Sequence, residues 1–61
     1  MPIITVKFQN QEPNITLSQD YQILDFYRDY NAGIDEVLIV GDDGNFLWTA
    51  KSNVLVQSIT N

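Results

Sequence analysis

The sequence predicts an α+β fold in two layers, one amphipathic helix packed on a small antiparallel sheet, in the order β-β-α-β-β-β. Three observations predict it. Residues 35–50, DEVLIVGDDGNFLWTA, read as two apolar strands around an Asp-Gly turn. Residues 18–31 set apolar side chains at helical spacing. The stretches near the two ends are rich in Val, Ile and Thr, as strands are.

Residues 2–9 form the first predicted strand, with Ile4, Val6 and Phe8 on the core face and Ile3, Thr5 and Lys7 on the other. Residues 9–14 are polar, hold Pro13 and read as a loop. Residues 15–17 read as a short returning strand. Ser18 is a helix N-cap, and Asp20 then lies in the first turn, where negative charge suits the helix dipole. Thr16 with Gln19 is a competing capping box about two residues earlier. The helix is expected to reach about Asn31, with Gly33 near its C-cap. At roughly 100° per residue, Ile23, Leu24, Phe26, Tyr27 and Tyr30 gather on one side. Gln22, Asp25 and Asp29 gather on the other, with Tyr21 and Arg28 on a flank.

The hairpin follows. A type I′ turn centred on Asp43-Gly44 sets Val40 opposite Leu47, Ile39 opposite Trp48, Leu38 opposite Thr49 and Val37 opposite Ala50. One face then carries Val37, Ile39, Phe46, Trp48 and Ala50; the other carries Leu38, Val40, Leu47 and Thr49. A half-exposed sheet alternates apolar and polar residues, and this hairpin does not. A single helix covers one face, which leaves the second for a contact outside the monomer. Lys51, Ser52 and Asn53 break the pattern. Residues 54–59 read as a last strand, with a short helix capped by Ser52 as the weaker alternative.

Sixty-one residues make one domain, residues 1–61, and a core this small is marginal unless disulfides, a metal or association support it. There is no Cys and no His, which removes disulfides, thiolate ligands, the commonest metal ligand and the usual general base near neutral pH. Association is the aid left. Three basic residues against eight acidic ones give a net charge of −5. Direct binding to DNA or RNA and to anionic membrane is therefore disfavoured, and a basic protein surface is favoured. No secretory signal or membrane span is visible, so a cytoplasm, bacterial or that of an infected host cell, is the expected setting.

The motifs favour binding over catalysis. Gly41-Asp42-Asp43-Gly44-Asn45 clusters oxygens, but adjacent Asp residues with no later Glu lack the ligand spacing of a calcium loop. A triad needs a base that the chain lacks, and no glycine loop cradles phosphate. The expectation is no enzyme, no cofactor and no metal. Trp48 is either a core residue or an exposed interface anchor, with Ile39 and Phe46 sharing the role. Tyr21 is the best placed tyrosine for binding. Asp25, Asp29, Asp42 and Asp43 form an acidic surface that serves solubility or imitates nucleic-acid charge.

Residues 17–56 resemble half of a CBS domain, in which a helix leads to a strand, an Asp-x-Gly turn and a second strand. The resemblance implies a small-ligand module for adenine nucleotides. Trp48 stands where that family usually has Gly, and no Ser/Thr-x-x-Asp follows the strand, so no ligand-binding residue is carried over. The hairpin, helix and later strands are also similar in order to a ubiquitin-type β-grasp. The tail, Ser58-Ile59-Thr60-Asn61, has no Gly-Gly and implies no conjugated modifier.

The expected function is a small acidic, non-catalytic protein-interaction module, bacterial or from a phage, self-associating as a homodimer through an apolar sheet face, by burying sheet against sheet or by joining edges. An inhibitor that mimics nucleic-acid charge and blocks a basic groove of a host enzyme is the alternative. A CBS-like ligand module is the third.

Overall fold

A computed structural model describes residues 2–61. Its elements, in chain order, are β1 (Ile3–Phe8), β2 (Tyr21–Gln22), β3 (Asp25–Asp29), β4 (Ile34–Val40), β5 (Phe46–Ala50), a 3-10 turn (Lys51–Asn53) and β6 (Val54–Thr60). The described residues contain no α-helix, so the expected α+β class and its strand–helix order are overturned. The fold is all-antiparallel β, two three-stranded sheets ordered β2-β1-β6 and β3-β4-β5. The helix on which both the CBS and the β-grasp likenesses depend is missing among the described residues, and neither likeness survives.

The segment read as a helix is a strand that changes sheets. Val6 pairs with Tyr21, Ile23 donates its N–H to the Ile4 carbonyl, and one residue later Leu24 donates to the Leu38 carbonyl. Sheets meet in this way at corners where a strand bends from one to the other. The bend explains the false helical signal. Tyr21 and Ile23 point inward in the first sheet; Phe26 shares the face of Val37 in the second. A three-residue step from Ile23 to Phe26 separates two stretches of alternation, and with Tyr27 and Tyr30 it reproduces the i, i+3, i+4, i+7 pattern. Five of the ten residues from Tyr21 to Tyr30 are aromatic or β-branched, and tertiary pairing makes use of that bias.

The expected helix caps serve turns instead. Gln19 donates to the Thr16 carbonyl in an isolated turn. Gly33, with φ of 69°, closes the β3–β4 hairpin, where Asp29 accepts the N–H groups of Asn31 and Ala32. Positive φ is needed at a helix C-cap and in a hairpin turn alike, so Gly33 does not discriminate between them. Residues 15–17 form no strand; Ile15 drops into the core from the long loop of residues 9–20.

The β4–β5 hairpin exists, one residue out of the expected register. Gly44 donates to the Gly41 carbonyl at 3.0 Å and Gly41 to the Asn45 carbonyl at 2.9 Å. The turn thus has a three-residue loop, Asp42-Asp43-Gly44, with Gly44 at φ 82° as its last residue. A type I turn followed by a left-handed residue has this form. Val37 pairs with Thr49, Leu38 with Trp48, Ile39 with Leu47 and Val40 with Phe46. A slip of one residue moves a whole strand's side chains across the sheet.

The core is Val6, Phe8, Ile15, Tyr21, Val37, Ile39 and Val54, with Ile4, Ile23 and Leu47 packed against it. Phe8 and Tyr21 meet edge to face, centroids 5.4 Å apart. β1 and β6 are the strands the sequence predicts, with Val6 and Phe8 inward. Among the described residues no helix is long and apolar enough to cross a membrane.

Ile39 is fully buried, whereas Phe46 is 74% exposed. Ile39→Ala is expected to lower the unfolding free energy by about 2–5 kcal/mol through the cavity it leaves. Phe46→Ala should change it by less than about 1 kcal/mol. Urea unfolding followed by tryptophan fluorescence checks both.

Candidate functional site

Alternation along β4 turns Leu38 and Val40 away from the core. The hairpin register sets Trp48 opposite Leu38 and Phe46 opposite Val40, and β3 brings Tyr27 opposite Glu36. An apolar strip results on the outer face of sheet β3-β4-β5. Tyr27 and Trp48 meet across it, ring centroids 6.4 Å apart at 70°. Tyr27 is 48% and Trp48 42% exposed, so each residue is about half covered by its neighbours and half open to solvent. The strip is bordered by carboxylates: Asp25 is paired with Leu38, Asp29 with Ile34, and Glu36 lies between Tyr27 and Ala50. Beyond Trp48 the surface dips into an open groove of about 470 Å³ lined in part by Asn10, Glu12, Glu36, Thr49 and Asn53.

A polar network fixes the two loops that flank this sheet. The Tyr21 hydroxyl donates to Asp42 Oδ1 at 2.6 Å, and the Thr16 hydroxyl donates to Asp42 Oδ2 at 2.8 Å. Thr16 N–H donates to the Tyr21 oxygen and Asp42 N–H to the Asn14 carbonyl, at 2.8 and 2.7 Å. Asn14 adopts φ of 62°, a left-handed conformation that Asn tolerates. Hydrogen bonds from Tyr21 and Thr16 hold the Asp42 carboxyl below its ordinary value of 3.8. Burial, then the bond to the Asp42 carboxylate, pushes the Tyr21 hydroxyl above its ordinary 10.0. At the other end of the long loop, Glu12 accepts from Thr49 and Asn53, and Asn53 accepts from Asn10.

The structure divides the residues that sequence groups as an interface. Phe46 and Trp48 lie together on the outer strip. Ile39 is on the opposite face in the core, because the turn is one residue longer than expected. Tyr21 is buried, and its hydroxyl meets Asp42 rather than water. Tyr27, Leu38 and Val40 join the strip, though sequence places Tyr27 on a helix and the other two on the face opposite Trp48. The signal for Leu38 and Val40 is the spacing of the turn glycines: Gly41 and Gly44 three apart fit a three-residue loop as well as Asp43-Gly44 fits a two-residue one.

The acidic residues are largely engaged at home. Asp25 accepts its neighbour Phe26 N–H at 2.8 Å, Asp29 shapes the β3–β4 turn, and Asp43 accepts both the backbone and side-chain N–H of Asn45. Asp42 belongs to the Tyr21 network. Among the described residues no three His, Cys, Asp or Glu side chains converge as metal ligands would. Comparison with protein-family models, with curated proteins and with solved structures returns no match for this chain.

A depressed carboxyl pKa stabilises the fold above its unfolded value, and that stability is lost as pH falls through the lower, folded value. For Asp42 the loss lies below about pH 4. For Tyr21, whose pKa is raised, the loss comes as pH climbs above about 10. Asp42→Asn should lower the melting temperature at neutral pH and flatten its fall below about pH 4. Thermal melts of the wild type and variant across that range check this.

Proposed function

We propose that this chain is a small acidic, non-catalytic protein-interaction module that docks a partner protein on the strip formed by Tyr27, Leu38, Val40, Phe46 and Trp48. The supporting observation is the exposure of three aromatic rings, Tyr27, Phe46 and Trp48, on one face of one sheet. Trp and Tyr are enriched among residues that dominate interface energetics, since they remove much apolar area from water and lose few rotatable bonds. Exposed apolar side chains gathered in one patch favour an interaction surface over a merely solvated one.

The border of the strip says what kind of partner fits. Asp25, Asp29 and Glu36 edge it, and its pairings with β4 bring no basic side chain onto it. A second copy laid face to face on this strip brings like charges together, which costs affinity. A protein with a basic rim around an apolar centre suits it better. Arg suits it best, because its guanidinium also stacks on aromatic faces. A cytoplasmic setting belongs to the same proposal, with a cysteine-free chain at home in reducing surroundings.

Charge mimicry draws less support. The four Asp residues of the expected acidic surface each accept hydrogen bonds that shape their own turns or strands, and each is explained without a partner.

Affinity capture with immobilised wild type, at about 0.1 and 0.5 M salt, tests the proposal. A partner should be retained at both salts, and Trp48→Ala, with an unchanged melting temperature, should lose it by about tenfold or more. Retention by Trp48→Ala together with loss on Asp25→Asn and Asp29→Asn would instead assign the contact to charge.

A further inference from the structure

β6 is the edge strand of sheet β2-β1-β6, with β1 on one side and, among the described residues, no strand on the other. It is seven residues long, VLVQSIT, and uncharged in a chain of net charge −5. Leu55, Val56 and Ile59 are 54%, 57% and 62% exposed. Val56 pairs with Val6 and Ile59 with Ile4, so they extend the apolar side of β1 past the point where the second sheet covers it. Edge strands present unpaired N–H and C=O groups to other chains, and natural proteins commonly blunt them with Lys, other charges, Pro or a β-bulge. β6 has no charge and no Pro, and of these devices it holds only a bulge, at Gln57. Its one irregularity is the register shift that leaves Gln57 unpaired with β1, and the Gln57 amide donates to the Leu55 carbonyl at 3.2 Å.

We propose that a second copy of this chain docks here, β6 against β6, antiparallel about a twofold axis, making one six-stranded sheet from two of three. Charge selects this occupant. Two copies of net charge −5 repel over most approaches, but across β6 they meet without a like charge. The charged residue beside it in register, Lys7 opposite Leu55, is neutralised by Asp20 at 3.0 Å. A basic or acidic partner finds nothing on β6 to pair with. Twofold pairing sets one uncharged strand against its own copy, the self-complementarity an isologous interface requires. This surface is separate from the outer strip, so both can be occupied at once.

Solution mass by light scattering coupled to size exclusion, at about 100 μM protein and at about 0.1 and 0.5 M salt, tests it. A dimer at both salts is expected, with Trp48→Ala still dimeric and Val56→Lys/Ile59→Lys monomeric. Both substituted sites are more than half exposed, and circular dichroism verifies the fold of the variant. Amide exchange on the wild type is a second readout. β6 amides should gain protection as concentration rises from about 1 to 100 μM, while β5 amides do not. A wild-type monomer, a dimer abolished by Trp48→Ala, or β6 protection that ignores concentration would each overturn the proposal.

Discussion

The pairing of β4 with β5 decides which of this molecule's apolar residues are inside. Val37, Ile39, Leu47 and Thr49 face the first sheet because the turn between the strands holds three residues. With two, Ile39 would share a face with Trp48. The turn is itself constrained from outside the hairpin. Asp42 is held by Tyr21 and Thr16, and a side chain at Gly41 would crowd the Asn14 carbonyl at 3.2 Å. Core, register and outer face therefore depend on one small contact between the hairpin tip and the long loop.

That contact shows how a chain of this size holds a long loop without disulfides. Residues 9–20 are pinned at one end by Glu12 and Asn10 against Asn53 and Thr49, and at the other by Thr16 against Asp42. Ile15 is inserted between them into the core. Polar groups at both ends and an apolar side chain in the middle turn an irregular segment into a wall of the core. Tyr21 joins the two kinds of support, its ring against Phe8 and its hydroxyl on Asp42.

Much of the sheet was legible in the sequence. Alternation in residues 3–8 marked Val6 and Phe8 as inward, and the run from Val54 marked the last strand. The hairpin was legible as a hairpin, but its register was not, because one Asp-Gly pair is compatible with two loop lengths whose faces differ completely. The sheet-changing strand was not legible at all. Its periodicity is two short alternations joined out of phase, and only the partners, Ile4 on one side and Leu38 on the other, reveal the join. Of the outer strip, Phe46 and Trp48 were legible as exposed aromatic candidates; Tyr27 was hidden by the false helix, and Ile39 was drawn in by the register.

The pairing of β1 with β6 also sets the order in which the protein can form. Ile3 lies against Thr60, the two ends of the described chain in one ladder. Sheet β3-β4-β5 is built from neighbouring hairpins and can close locally. β1 cannot gain its longer partner until residues 54–60 have left the ribosome, and contacts this distant in sequence slow folding. Through synthesis of the intervening residues, the apolar side of β1 waits uncovered on that flank, and β6, made after the other five described strands, completes this core.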